Sequence, residues 1–235
     1  GHIQEEDAAF ANRHGFSKHS PAEPLYNRQD AVNSLGLLQS HPWGEVFSPL
    51  PGWRATFSSA GHILGASSLL LEVGERRILF SGDLGRPDDL IMKPPEDPPA
   101  ADTVLIESTY GNRVHPHEDA LAELAPALQR AAARSGVVVI PVFAVGRAQA
   151  ILHAIASLKA RGEIPQHLPI YLDSPMAVHT TDLFRHHPDG HRLNPAQLKA
   201  MQDVAVMVES VQDSKALAKR HGPKVILSAS GMATG

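Results

Sequence analysis

Short apolar runs cut this chain into strands, and what lies between them changes character part-way along. In the first half, residues 54–59, 68–73 and 77–81 read as strands, and Gly74-Glu75 is a tight-turn signal between the last two. Two apolar strands joined so closely pair antiparallel, unlike the strands of a doubly wound nucleotide-binding fold. A Pro-rich loop at 93–99 precedes another buried strand at 103–106. After Gly111 the pattern alternates helix and strand. Strands are predicted at 137–141, 169–173, 204–208 and 224–228, and helices at 118–134, 147–160 and 174–186. Pro126 is expected to kink or shorten the first helix. The run Val137-Val138-Val139-Ile140-Pro141 reads as a strand buried on both faces. Ser214 is expected to cap a short helix ending at Gly222. Residues 1 to about 50 are polar and read as helix and loop pieces covering something else. The fold class is therefore α/β, an antiparallel layer followed by a parallel unit, with a boundary near residues 111–117.

Composition narrows the chemistry. The 235 residues contain no cysteine, so disulfides, thiolate metal sites and cysteine nucleophiles are excluded. Any metal site must use carboxylates and some of the 14 histidines. A net charge of −4 gives no support for a diffuse basic nucleic-acid surface, although a local basic groove is compatible with it. No apolar run is long enough for a spanning helix, and no targeting segment opens the chain; with the absence of cysteine, this gives cytoplasmic localisation as the expectation. The chain begins at Gly1 without Met and stops in a glycine-rich turn after an apolar run, so we expect an internal fragment of a longer protein. A truncated sheet edge would invite homo-oligomer formation.

Three segments place a chemically able side chain where a strand ends. His62 lies in Gly61-His62-Ile63-Leu64-Gly65, Asp83 in Ser81-Gly82-Asp83-Leu84-Gly85, and Glu107 in Ile106-Glu107-Ser108-Thr109. Loops at one edge of a sheet converge on a common place and rest on a rigid base. Imidazole and carboxylate without thiolate suit a hard or borderline divalent ion such as Zn²⁺ or Mn²⁺. Taken singly, each has a plainer reading: a hydrogen-bonded loop histidine, a turn-forming aspartate, a capping or surface glutamate.

Together the segments resemble a known family. Ala60-Gly61-His62-Ile63-Leu64-Gly65-Ala66, Ser81-Gly82-Asp83-Leu84-Gly85-Arg86 and Ile106-Glu107-Ser108-Thr109-Tyr110-Gly111 are similar to consecutive motifs of the β-CASP metallo-β-lactamase-fold nucleases. Residues 140–149, 170–177 and 228–232 extend the similarity in the same order. The resemblance implies part of a metallo-β-lactamase αββα sandwich over 1–116, and a β-CASP domain with a mainly parallel sheet flanked by helices over 117–235. It implies metal-dependent hydrolysis of RNA phosphodiester bonds. His62 and Asp83 would be zinc ligands, Asp83 bridging two zinc ions. Asp83 and Glu107 would be the catalytic residues, Glu107 as the acid that hydrogen-bonds the proton-donating histidine. RNA is the implied partner; which residues bind it stays open. Two other functions are open: a non-catalytic RNA-binding scaffold of the same fold, and a metallohydrolase acting on small esters.

The departures from the family are specific. Its His-x-His-x-Asp-His motif would lie upstream of Gly1, and its two later histidine motifs beyond Gly235. A catalytic metal needs three protein ligands, and His62 with Asp83 supply two. The fragment alone is therefore expected to be inactive. His115-Pro116-His117-Glu118-Asp119 imitates the missing motif, but Ala120 stands where its last histidine belongs, so it reads as the polar entry to a helix. His186, His187, Asp189 and His191 read as a solvated turn, and Arg147 as a salt-bridged structural residue that could alternatively meet a phosphate at a helix N-terminus. The Ser230-Gly231 turn could offer backbone N–H groups to RNA phosphates.

Overall fold

A computed structural model describes residues 1–114 and 120–229. The His115–Asp119 and Ser230–Gly231 readings lie outside the described residues. The chain divides into two compact units, Gly1–Pro42 and Trp43–Gly235.

The first unit holds α1 (His2–His14) and α2 (Arg28–Leu35). Gly15 ends α1 in the left-handed conformation, φ +66°, where glycine carries no Cβ penalty. Asn27 opens α2 with a capping box: its side chain accepts from the Asp30 N–H, and Asp30 accepts from the Asn27 N–H at 3.0 Å. Neither helix has a buried residue.

The second unit begins with a five-stranded sheet in sequence order: β1 (Val46–Phe47), β2 (Trp53–Ser59), β3 (Ser67–Val73), β4 (Arg76–Phe80) and β5 (Thr103–Leu105). Val73 pairs with Arg76, which leaves Gly74-Glu75 as a two-residue turn with Gly74 at φ +59°. The pairings β1–β2, β2–β3 and β3–β4 are antiparallel, but β4–β5 is parallel. A parallel neighbour needs a crossover. Residues 81–102 supply it, and they carry both the Asp83 loop and the Pro-rich stretch.

A second sheet has the order β6 (Val137–Pro141), β9 (Lys224–Ser228), β7 (Ile170–Asp173), β8 (Val206–Val208), all parallel. Ile170, Leu172, Val225 and Leu227 point to one face. There they join the core made by α3 (Ala120–Ala133), α4 (Arg147–Ala160), α5 (Pro175–His186) and α6 (Pro195–Asp203). Tyr171 and Ile226 alternate to the other face and meet Leu217 of α7 (Val211–Lys219). This is the expected parallel sheet flanked by helices.

Several details differ from expectation. β6 is an edge strand with one open face, on which Val137 and Val139 are 50% and 59% exposed, so an unbroken apolar run did not mean burial on both sides. The helix α3 continues through Pro126 to Ala133, held by buried Leu121, Ala125 and Leu128. The last strand before α7 starts at Val206 because Val204 closes α6. Ser210, not Ser214, caps α7: its hydroxyl accepts from the Asp213 N–H at 3.0 Å, while Ser214 donates to Asp173 Oδ2 at 2.8 Å. His191 does not belong to a solvated turn. It is buried, stacks on Phe184, and its Nε2 lies 2.9 Å from the Phe184 carbonyl. The neighbouring His186, His187, Pro188 and Asp189 are exposed, and Gly190 is half-buried.

Candidate functional site

The sheet topology decides where the three singled-out residues go. β2 is antiparallel to β3 and β3 to β4, while β4 and β5 are parallel. The three strands β2, β4 and β5 therefore run the same way, and the loops after them leave from one edge. Those loops carry His62, Asp83 and Glu107.

The loops are tied to one another through their backbones. The 60–66 loop closes on itself, with Ala60 N–H donating to Ala66 O and Ala66 N–H to Ile63 O, both at 3.0 Å. Gly85 N–H, two residues after Asp83, donates to Ala60 O at 2.7 Å. The approach is so close that a Cβ on Gly85 would stand 1.9 Å from the Gly61 carbonyl oxygen. Glu107 Oε1 accepts from the Leu84 N–H at 3.0 Å, and Oε2 accepts from the Thr109 N–H at 3.2 Å. Ser81 joins them, its hydroxyl accepting from the Glu107 N–H at 3.0 Å and donating to the Gly82 carbonyl at 2.7 Å. His62 and Asp83 are exposed and Glu107 is half-buried.

The Glu107 carboxyl is held below the ordinary carboxylate range. The Thr109 hydroxyl contributes most, then the Leu84 and Thr109 amides, and His62 adds a smaller pull in the same direction through its charge. A folded-state value below the unfolded one means the stabilisation is present at neutral pH and is lost as pH falls through the folded value. Protection of the Leu84 amide from hydrogen exchange, corrected for the intrinsic rate, should therefore persist down to the ordinary glutamate value of about 4.3 and drop as the pH falls further. In Glu107→Gln that acid-dependent step should vanish. A parent profile that stays flat below that value would show that the carboxylate does not hold the loop.

Sequence reasoning found the three loop residues but not their ties. Ser81, Thr109 and Gly85 sat within the quoted motifs, yet nothing local reveals that Gly85 lies against Gly61. Arg147 stands exposed at the start of α4, and among the described residues no carboxylate lies within ion-pair distance of it. The expected salt bridge is thus not found among them. Among the described residues, no three histidine or carboxylate side chains converge closely enough to hold a metal ion. His62 and Asp83 are suitable donors by type, but they are two where a catalytic ion needs three. No helix among the described residues is long and apolar enough to cross a membrane.

Fold and loops define an α/β protein in which the loops carrying His62, Asp83 and Glu107 leave from the shared edge of three like-directed strands. Residues 148–235 match the Beta-Casp domain. Over 224 residues the chain is 35% identical to a ribonuclease of Thermus thermophilus, covering 91% of this chain and 50% of that protein. It is 31% identical over 219 residues to the cleavage and polyadenylation specificity factor subunit 3 of Dictyostelium discoideum, covering 88% of this chain and 27% of that one. An RNase J-like protein of Methanocaldococcus jannaschii is 34% identical over 216 residues, with coverage of 89% and 50%. The chain thus spans half or less of the length of these curated relatives. It belongs to the β-CASP family of the metallo-β-lactamase fold.

Proposed function

We propose that the protein carrying this chain hydrolyses RNA phosphodiester bonds with the help of bound divalent metal, zinc being our choice. The observation that supports this most is the convergence of the His62, Asp83 and Glu107 loops at one sheet edge, locked by the Gly85–Ala60 and Leu84–Glu107 hydrogen bonds. The ribonuclease and RNA 3′-processing names of the relatives supply the substrate class. Two divalent ions, when bound, would supply an acidified water and stabilise the charge that develops in line.

Within that reading the chain's own residues divide the work. His62 and Asp83 would hold the metal together with further ligands that the described residues do not supply. Glu107 has both oxygens on amides, which supports a holding role: it fixes the Asp83 loop and prepares an acid to orient a proton donor from elsewhere. Residues 1–116 form the metallo-β-lactamase portion and 117–235 the β-CASP portion. We place the protein in the cytoplasm and expect self-association through open sheet edges, which light scattering would test.

The test is Asp83→Asn in the full-length protein with single-stranded RNA and added Zn²⁺ or Mn²⁺. We expect cleavage to fall by more than about 100-fold, since even residues that only support a metal ligand register between about 10- and 100-fold. Cleavage at the parent rate would remove Asp83 from the site. A panel that adds single-stranded DNA and a thioester separates this reading from a small-ester hydrolase.

A further inference from the structure

The residues that follow His62 are apolar, and they leave the five-stranded sheet for the other half of the molecule. Ile63 and Leu64 are both half-buried, and Leu64 packs on the core beneath the four-stranded sheet. Each meets a glycine there. A Cβ on Gly146 would stand 2.9 Å from Ile63 Cγ2, and a Cβ on Gly190 would stand 2.8 Å from Leu64 Cδ2. Ile63 Cγ2 is attached at the branched carbon, so it moves only if χ1 or the backbone moves. Gly146 also sits at φ +80°, ψ −65°, a conformation that disfavours any side chain.

The receiving turns are themselves held. Gly146 N–H donates to Gln149 Oε1 at 2.7 Å, which fixes the head of α4. The turn at Gly190 is stapled to the crossover: Lys93 Nζ donates to Asp189 O at 2.7 Å, Arg192 N–H to Ile91 O at 2.9 Å, and Arg192 Nη1 to Asp89 O at 2.9 Å. The crossover in turn presses on Gly61, where a Cβ would stand 2.6 Å from the Lys93 carbonyl oxygen. The His62 loop is thus gripped from the crossover at Gly61 and from the second half at Ile63 and Leu64.

We propose that Ile63 and Leu64 are positioning residues, seated on Gly146 and Gly190, so that the four-stranded half sets the pose of the His62 loop. As a statement about loop geometry this stands on the contacts above. Its consequence for catalysis rests on the proposed RNA hydrolysis. The tie gives a reason for the exposed His62 to be followed by two branched apolar residues.

The experiment compares Ile63→Ala with Ile63→Val, which keeps Cγ2. In this chain, hydrogen exchange is read at the Ala66 and Gly85 amides, whose partners are Ile63 O and Ala60 O, and at Leu172 and Leu227 in the core. We expect Ile63→Ala to speed exchange at Ala66 and Gly85 by about tenfold (~1.4 kcal/mol), with the core amides unchanged and Ile63→Val close to the parent. Unchanged Ala66 and Gly85 amides in Ile63→Ala would overturn the proposal, as would equal acceleration of the core amides, which marks general destabilisation. Should Ile63→Ala fail to fold, Leu64→Ala must speed exchange at Ala66 and Gly85 with the core amides unchanged; unchanged loop amides in that variant overturn the proposal. In the full-length protein, Ile63→Ala should lower kcat on RNA with KM little changed. Loose loop amides with no RNA cleavage by the parent would leave the positioning role intact and reject the nuclease reading instead.

Discussion

Gly85→Ala should unfold at a temperature roughly 6–12 °C below the parent and should loosen the His62 loop even where it remains folded. The added Cβ would lie 1.9 Å from Gly61 O, 2.2 Å from Gly61 C and 2.7 Å from His62 N. All three are backbone atoms, so no side-chain rotation relieves the clash. The two loops must separate by about an ångström or more, which also breaks the 2.7 Å hydrogen bond from Gly85 to Ala60. Overpacking of this kind costs about 1–3 kcal/mol, and a lost buried backbone bond about 1–3 kcal/mol more. A total near 3 kcal/mol converts to the stated shift at about 2–4 °C per kcal/mol for a chain of this size. Gly136→Ala is the control: its nearest neighbour beyond the adjacent residues is Ala131 O at 3.5 Å, an ordinary contact, so its melting point should hardly move. Calorimetry on both variants checks the difference. Equal melting points would mean that the loops have slack which the 1.9 Å approach denies.

Gly85 also shows where reading along a sequence stops. Its neighbours Gly82 and Asp83 mark a turn after a strand, and that much is local. That the turn lies against Gly61, more than twenty residues earlier, follows from the pairing of β2, β3 and β4, and only the hairpin at Gly74-Glu75 had a local signal. The strand-end positions of His62, Asp83 and Glu107 were legible because a period-two apolar run has a visible end. That their loops leave from one sheet edge was an expectation from strand ends alone; what fixes it is β4 and β5 running parallel across a long crossover, which no local signal marks. The open face of β6 was illegible for a related reason. Val137, Val139 and Pro141 look the same in sequence whether a layer covers them or not; what decides is that α7 packs its Leu217 over Tyr171, Val208 and Ile226 of the other three strands. The α6 start was a different failure. Asn194-Pro195 followed by Gln197 is a capping-box signal with proline at the first helical position, and the structure shows Asn194 Oδ1 accepting from the Gln197 N–H at 2.9 Å. Ser214 was mistaken for a cap because Ser210, four residues earlier, has the same chemistry and an acid three residues on.

Gln149→Leu should destabilise the chain by at least about 2 kcal/mol although leucine is apolar and close in size. Gln149 is fully buried, and its amide serves four partners: it accepts from Gly146 N–H at 2.7 Å and donates from Nε2 to Ala144 O at 3.1 Å, Ala177 O at 3.3 Å and Thr181 Oγ1 at 3.0 Å. Leucine would leave the Gly146 N–H and the Ala144 carbonyl without this partner, at about 1–3 kcal/mol for each group that water cannot reach. Thr181 is partly compensated, because its hydroxyl also donates to Ala177 O at 2.7 Å. Urea unfolding gives the number. Gln149→Glu separates hydrogen bonding from shape. A carboxyl buried there would have its folded pKa raised, because only the protonated form can donate. Its penalty is therefore small below the unfolded glutamate value near 4.3 and grows as pH rises toward the folded value. The glutamate variant should gain stability relative to the parent on acidification, whereas the leucine variant should keep a constant deficit. Two parallel profiles would mean that the amide's hydrogen bonds do not hold the head of α4. The turn on which Ile63 is seated would then need another support.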